Sequence, residues 1–189
     1  MRVIAGSAGG LRLAVPKSRV RPTMDRVKAA IFSSLGGAII DARVLDLFAG
    51  SGALGIEALS RGAASVLFVE EDRQSTEAIE KNLAKTKLGG RVRRQEVFEF
   101  LRRSSGLERF QIIFADPPYE KTKSGERFTE KLLTNKELAR LLEFDGVFVL
   151  EKRPAEQTSA TKLWDIVRAR KYGATEVLFL RRPPSASMT

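Results

Sequence analysis

The hydrophobic and polar positions of the chain follow two alternating patterns. Short apolar runs bounded by glycines or charged residues have the length of buried strands. Between them, apolar residues stand three or four apart, as Ile79 and Leu83 do within 73–88, which indicates amphipathic helices. The strand-like runs lie at 42–49, 65–72, 90–97, 110–116 and 145–153. Strands that alternate with helices predict a mostly parallel sheet with helices on both faces.

The carboxyl-terminal part of the chain departs from this alternation. The runs at 164–173 and 175–182 are too close together for a crossover helix, so they predict an antiparallel pair around Gly173. The segment 128–142 has helical spacing, with a break expected near Thr134. The whole pattern predicts an α/β fold with about seven strands, mostly parallel, that ends in an antiparallel hairpin.

The first 41 residues follow a third pattern, which differs from both the alternation and the C-terminal hairpin. The stretches 2–6 and 11–16 flank a Gly/Ser turn and predict a β-hairpin, followed by a basic loop. A helix is expected from Thr23, which is a suitable N-cap residue, with Asp25 in its first turn. We therefore divide the chain into an N-terminal extension at 1–41, a main domain at 42–182 and a disordered tail at 183–189.

The residue types that the chain lacks exclude several kinds of catalytic and metal site. The chain has no Cys and no His, which excludes disulfides, thiolate nucleophiles, imidazole catalysis and metal sites built on either residue. No apolar run reaches the roughly 20 residues of a membrane span, and the N-terminus lacks the apolar core of a signal peptide. We expect a cytoplasmic protein without a membrane partner or a metal, and a monomer.

Positive charge is concentrated at both ends of the chain. The net charge is +10. Residues 1–41 carry seven Lys and Arg against two Asp and Glu, and residues 152–189 carry eight against three. Between them, 18 basic residues balance 18 acidic ones. This distribution favours a polyanionic partner such as RNA, although a basic surface without a specific partner has the same composition.

A glycine-rich turn follows the first predicted strand. Asp46 ends that strand, and Gly50 and Gly52 open the next helix, where glycines allow a ligand to approach the backbone. Glu70 ends the second strand, 20 residues after Gly50, which is the spacing of a carboxylate that binds ribose hydroxyls. A tight turn with packing glycines and an exposed acid is the alternative to a nucleotide site.

The position of Asp46 favours one kind of nucleotide. An acid four residues before the first glycine would repel a pyrophosphate but attract a ligand with an ammonium or sulfonium charge, and S-adenosylmethionine carries both. The Asp-x-Phe-x-Gly-x-Gly pattern resembles motif I of the class I S-adenosylmethionine-dependent methyltransferases, which have a Rossmann-like sheet. The resemblance implies cofactor contacts at the following residues: Asp46, Phe48, Gly50, Ser51, Gly52, Glu70, Glu96 and Val97. Glu96 would contact the adenine amine and Val97 would form an apolar wall.

Two consecutive prolines end the fourth strand-like run, in the sequence Asp116-Pro117-Pro118-Tyr119. Prolines fix φ and hold neighbouring groups rigidly. An exocyclic amine conjugated to a base is a poor nucleophile, and two acceptors, the Asp116 carboxylate and the Pro117 carbonyl, would orient its lone pair toward a methyl group. Tyr119 would stack on the base. This motif resembles that of amino-methyltransferases that act on adenine N6 or guanine N2, and it does not separate the two bases.

The N-terminal sequence resembles that of one particular family of amino-methyltransferases. The Arg-Pro-Thr-x-Asp-Arg segment at 21–26, followed by motif I, resembles the bacterial family that methylates guanine N2 in 16S ribosomal RNA (rRNA), over nearly the whole chain. The resemblance departs at Ala29 and Ser33, where the family usually has an acid and an Asn. RNA or cofactor contacts are expected at Arg21, Thr23, Arg26 and Lys28.

The resulting hypothesis is methyl transfer from S-adenosylmethionine to guanine N2 of 16S rRNA, free or within a 30S assembly particle, with S-adenosylhomocysteine as product. The target base would be flipped out or unpaired. Three alternatives remain: an adenine-N6 methyltransferase, a non-catalytic RNA-binding protein with this fold, and a nicotinamide-dependent dehydrogenase. The absence of a separate target-recognition region disfavours the first, the intact motifs disfavour the second, and Asp46 with the double proline disfavours the third.

Overall fold

The structure is a computed structural model of the 189-residue chain. It describes residues 1–15, 24–104, 106, 108–118, 127–156, 158 and 162–184. The predicted basic loop and most of the predicted disordered tail lie outside these residues. Arg21, Thr23 and Tyr119 also lie outside them, so their predicted roles stay predictions.

Seven strands form one mixed sheet. In chain order they are β1 (Arg43–Leu47), β2 (Ser65–Glu70), β3 (Arg91–Arg94), β4 (Phe110–Ala115), β5 (Leu142–Lys152), β6 (Asp165–Tyr172) and β7 (Thr175–Arg181). Their order across the sheet is β3-β2-β1-β4-β5-β7-β6. The first five strands in this order run parallel, and β7 pairs antiparallel with both β5 and β6. The sheet predicted from the hydrophobic pattern is therefore observed.

Within the described residues, six α-helices surround the sheet. They are α1 (Met24–Leu35), α2 (Ala53–Ser60), α3 (Arg73–Thr86), α4 (Val97–Arg102), α5 (Phe128–Leu133) and α6 (Lys136–Leu141), and a 3-10 helix follows α1 at Gly36–Ile39. The break predicted near Thr134 is present, because Thr134 caps α5 and the Asn135 side chain accepts the Leu138 amide at the start of α6.

The sheet separates two hydrophobic cores. Successive strand residues face opposite sides, so Val44 of β1 lies in one core and Leu45 in the other. The first core takes apolar residues from α1, α2 and α3, and the second takes them from α4, α5 and α6. Strands covered on both faces read as apolar runs, which is why β1, β2 and β4 were recognisable in the sequence, whereas β3 is mostly exposed and more polar.

The N-terminal segment, residues 1–15, packs in the first core. The predicted hairpin is reduced to one antiparallel bridge between Arg2 and Arg12, flanked by hydrogen bonds such as that from the Val3 amide to the Leu11 carbonyl (2.9 Å). Val3 and Leu13 are buried in the same core as the sheet. The segment is therefore a part of the main domain's packing rather than an independent strand pair.

A buried carboxylate on α2 holds the N-terminal segment. Glu57 is fully buried, and its two oxygens accept the amides of Ile4 (2.7 Å) and Ala5 (3.0 Å). It also pairs with Lys28 of α1 at 3.2 Å and with Arg61 at 2.7 Å. These contacts satisfy a charge that would otherwise be costly to bury.

The burial of Lys28 corrects one predicted role. Lys28 is 3% exposed, and its ammonium donates to the Arg2 carbonyl at 2.6 Å besides pairing with Glu57. Burial lowers the pKa of this ammonium, although Glu57 opposes the effect. Lys28 thus fixes α1 to the N-terminal segment and is not available for the predicted substrate contact. Arg26, by contrast, is exposed.

Candidate active site

The register of three neighbouring strands places the predicted acids at one edge. Leu47 of β1 is level with Val69 of β2 and with Ala115 of β4. The next residue along each segment is Phe48 directly after β1, Glu70 at the end of β2 and Asp116 directly after β4. All three therefore stand at the carboxyl edge of the sheet. This is the edge at which open α/β sheets bind ligands.

The glycine-rich turn between β1 and α2 has a left-handed backbone at three points. Phe48 has φ 55°, Gly50 φ 57° and Gly52 φ 77°. Only Gly adopts such angles without strain, and a Cβ on Gly52 would also lie 3.2 Å from Ile56 and Ile79. The Gly50 amide donates to a Glu70 carboxylate oxygen at 2.7 Å. The turn is thereby held against the end of β2.

Asp46 holds the helix that follows the same turn. Its carboxylate is 2% exposed and accepts the Gly55 amide of α2 at 2.9 Å. Burial raises the pKa of Asp46 well above its ordinary value, the hydrogen bond from Gly55 opposes this, and the nearby carboxylates of Asp116 and Glu70 raise it further. The effect of Asp116 and Glu70 on Asp46 shows that the three carboxyl groups lie close together at this edge.

Glu70 is the last residue of β2, and Glu96 follows the end of β3 by two residues. The second oxygen of Glu70 accepts the Asp72 amide at 3.0 Å. Glu96 is the N-cap of α4 and accepts the amides of Phe98 (2.9 Å) and Glu99 (2.7 Å). Val97 is buried beside it. Their predicted contacts with ribose and adenine stay predictions, since the observed contacts are those of a turn support and a helix cap.

A cavity of about 530 Å³ opens beside these acids. Phe48 meets Phe128 edge-on, with ring centroids 5.5 Å apart, and Phe98 lies parallel to Phe128 at 6.1 Å. The Lys131 ammonium is 5.5 Å from the centre of the Phe98 ring. Glu70, Glu96, Val97 and Pro118 also line the cavity. It therefore combines a flat apolar wall with carboxylates at the sheet edge, as a nucleoside with a cationic group requires.

The double proline follows Asp116, whose carboxylate is close enough to Asp46 to raise the pKa of that carboxyl group. Asp116 is half-buried, Pro117 is buried and Pro118 is exposed. Pro118 lines the cavity next to Phe48 and Phe128. The rigid Asp116–Pro118 backbone thus stands beside both the acids and the aromatic wall.

Known proteins that resemble the chain agree on a family. Residues 1–181 match the family described as conserved hypothetical protein 95. The chain is 38% identical over 188 residues to the putative rRNA methyltransferase YlbH of Bacillus subtilis (strain 168), a match that covers 96% of this chain and 99% of that protein. The chain belongs to this family of bacterial rRNA methyltransferases. Ribosomal RNA small subunit methyltransferase D of Escherichia coli (strain K12) is 44% identical over 123 residues, which is 64% of this chain and 61% of that protein.

Solved structures confirm the methyltransferase fold predicted from motif I. A putative methyltransferase from Escherichia coli, yhhF, superposes with a TM-score of 0.78 at 32% identity and covers 96% of this chain and 97% of its own. A 16S rRNA N2 G1207 methyltransferase of T. thermophilus, solved with AdoMet and guanosine, has a TM-score of 0.69 at 24% identity and covers 88% of this chain and 44% of its own. The second likeness concerns the fold alone.

Several residues of this methyltransferase site were missed in the sequence. The Asn82 side chain of α3 accepts the Ala14 amide (2.7 Å) and donates to the carbonyls of Ala14 (2.9 Å) and Ser51 (3.0 Å). It therefore ties the glycine-rich turn to the N-terminal segment. A polar residue within the apolar stripe that includes Leu83 was the available signal. Phe98 and Phe128 gave no such signal, because their stacking joins residues far apart in the chain.

Two features are absent from the described residues. Within them, no helix is long and apolar enough to cross a bilayer. No group of three or more acidic side chains in the same part of the chain is arranged to hold a metal ion.

Replacing Asp46 with Asn is expected to stabilise the cofactor-free methyltransferase at neutral pH. The folded-state pKa of Asp46 is raised, so ionisation of the buried carboxyl costs stability once the pH exceeds its ordinary value of 3.8. Asn keeps an acceptor for Gly55 and removes the charge. We expect Tm to rise by about 2–4 °C at pH 7, and this gain to shrink as the pH falls toward 4. Thermal unfolding between these pH values measures it, and a gain that grows on acidification would contradict it.

Proposed function

We propose that this methyltransferase moves the methyl group of S-adenosylmethionine to the exocyclic N2 amine of a guanine in 16S rRNA. One observation carries the proposal. Three carboxylates, Asp46, Glu70 and Asp116, gather at the carboxyl ends of β1, β2 and β4, beside a glycine-rich turn and an aromatic cavity. Such an edge suits a cationic nucleoside, and a neutral or anionic one is disfavoured there.

The residues present fit S-adenosylmethionine. The aromatic wall of Phe48, Phe98 and Phe128 suits an adenine ring, and Glu70 and Glu96 stand where ribose hydroxyls and an amine need acceptors. Asp46 and Gly50 hold the turn in place beside this wall, because the Asp46 carboxyl group accepts the Gly55 amide and the Gly50 amide donates to Glu70. When bound, the cofactor supplies an electrophilic methyl group on a sulfonium, which leaves a neutral thioether after transfer.

The contribution of the protein to the transfer is the orientation of the amine. The Asp116 carboxylate and the Pro117 carbonyl accept the two N–H groups of the exocyclic amine, which localises its lone pair on nitrogen. The nitrogen forms a bond to the methyl carbon as the carbon–sulfur bond breaks, and the methylated amine then loses one proton to water, or through Asp116. Tyr119 stacks on the target base. No covalent enzyme intermediate is needed, in keeping with a chain that has no Cys.

We favour guanine N2 over adenine N6 as the methylated amine because of the family to which the chain belongs. The double-proline motif does not decide between the two. Relatives are named rRNA methyltransferases, one of them for the small ribosomal subunit. A non-catalytic RNA-binding protein would have no use for the acids and glycines of the turn, which the fold keeps in place. We infer a monomer that acts in the cytoplasm on rRNA, free or within a 30S assembly particle, with contacts from Arg21, Thr23 and Arg26.

The product identifies the reaction. Labelled S-adenosylmethionine is incubated with unmodified 16S rRNA, both free and within assembling 30S particles, and the RNA is digested to nucleosides. We expect label in N2-methylguanosine alone. Label in N6-methyladenosine, or no label despite measurable cofactor binding, would contradict the proposed function. A parallel reaction with fully modified 16S rRNA is the control, because its target amine is already methylated.

A further inference from the structure

A second cavity, of about 440 Å³, lies at the opposite edge of the sheet. Its walls come from the amino ends of β4 and β5, from α6 and from the segments that precede β6 and follow β7. Because β5 and β7 are antiparallel, the end of β7 lies beside the beginning of β5. The cavity therefore opens at the amino edge of the parallel strands, away from Asp116. We call it the basic cavity.

The charged residues that line the basic cavity are all cationic. Its cationic lining residues are Arg109, Lys136, Arg140, Lys162 and Arg182, and none of its described lining residues is acidic. Two nearby acids are already paired, Glu137 with Arg140 at 2.7 Å and Glu143 with Arg43 at 2.9 Å. Several like charges around one concave surface raise the local positive potential and attract an anion.

Two of the lining residues give the basic cavity a fixed shape. The Arg182 guanidinium donates to the Leu142 carbonyl at 3.3 Å, so it is held at the cavity wall rather than extended into solvent. Phe144, two residues further along β5, is 54% exposed within this group of cations. An exposed aromatic ring between cations offers a stacking face to a base while the cations bind the adjacent phosphates.

We propose that the basic cavity binds an unpaired segment of the rRNA substrate, with phosphates on its cations and a base on Phe144. This inference rests on the proposed rRNA substrate and adds a second contact region to it. An acidic protein segment would match the charges but would leave Phe144 without a partner. A contact on the face away from Asp116 would hold the RNA through its backbone while the target base enters the active site.

Oligouridine of about 12 nucleotides tests the basic cavity, because it has phosphates and bases but no guanine to methylate. The test variant is Lys136→Gln/Lys162→Gln. The matched control is Lys81→Gln/Arg91→Gln, which removes the same charge from exposed positions on α3 and β3. Affinity is measured by fluorescence anisotropy over a range of salt concentrations, and Tm and cofactor affinity are measured for every variant.

We expect the test variant to bind about tenfold more weakly at low salt. Its slope of log affinity against log salt should fall by about 1.4, since each lost phosphate contact on a single strand removes roughly 0.7. Lys136→Arg/Lys162→Arg should restore wild-type binding. Phe144→Leu should weaken binding about tenfold with an unchanged salt slope, because it removes stacking and no charge.

Several results would overturn the inference. They are equal losses in the test and control variants, an unchanged salt slope in the test variant, and displacement of oligouridine by inorganic phosphate at the same concentration of phosphate groups. Loss of binding to poly-glutamate with undiminished binding of oligouridine would indicate an acidic protein partner and would also overturn it. Oligouridine binding is independent of the methylated product, so a failure here is distinguishable from a failure of the proposed function.

Discussion

Asp116→Ala is expected to lower the rate of methyl transfer to rRNA by about 10²–10³-fold, the usual loss when one preorganised electrostatic contact to the reacting group is removed. Asp116 follows β4 at the sheet edge and is only half-buried, so its removal leaves the two cores intact. Cofactor affinity should change little, because the wall of the cavity and the glycine-rich turn do not depend on this side chain. Single-turnover transfer of a labelled methyl group and calorimetric binding of S-adenosylmethionine measure the two effects separately.

Asp116→Asn is the matched variant for this experiment. Asn has the size of Asp and keeps one acceptor oxygen, but it lacks the charge and directs N–H donors at the amine. We expect transfer to stay at least tenfold below wild type. Wild-type transfer by either variant would contradict the orienting role, and an equal loss of cofactor affinity and transfer would assign Asp116 to cofactor binding instead.

Glu57→Ala is expected to destabilise the protein by about 3–5 kcal/mol, the cost of leaving a buried charge without its partner. The change removes the acceptor of the Ile4 and Ala5 amides and leaves the Lys28 ammonium, 3% exposed, without its ion pair. Residues 1–15 should then leave the first core while the sheet remains folded. Urea unfolding gives the free energy, and hydrogen exchange at the amides of Ile4 and Ala5 reports the local opening.

Glu77→Ala is the control for Glu57. Glu77 also pairs with an Arg four residues away on a helix, Arg73 at 2.9 Å, but both side chains are largely exposed. Its loss should change the free energy of unfolding by less than about 0.5 kcal/mol. Similar losses in the two variants would show that burial of Glu57 is not the source of its effect.

The sequence predicted the sheet well because the parallel strands β1, β2 and β4 are largely buried. β1 is followed by Phe48 and the glycine-rich turn, and β4 is followed by the acid Asp116, so the end of each strand was recognisable. Glu70 was recognisable for a similar reason, since an acid directly after a buried strand stands at the sheet edge. Acids at strand ends therefore located the candidate site before any coordinates were known.

The remaining features depend on contacts between distant segments, which periodicity cannot reveal. Lys28 appeared to be one more cation of a basic N-terminus, and its pairing with Glu57 becomes visible only when α1 and α2 pack together. The N-terminal hairpin was predicted from apolar stretches, yet Asn82 and Glu57 supply contacts that a longer strand ladder would have provided. The basic cavity likewise combines five cations from four separate parts of the chain.

The anchoring of the N-terminal segment has a consequence for synthesis on the ribosome. Residues 1–15 leave the ribosome before their partners Glu57 and Asn82, which are translated more than 40 residues later. The apolar side chains of this segment, such as Val3 and Leu13, therefore stay unpacked until α2 and α3 have emerged and folded onto β1 and β2. During that interval these apolar side chains are exposed and favour aggregation. The seven cations of residues 1–41 oppose aggregation, because they repel one another.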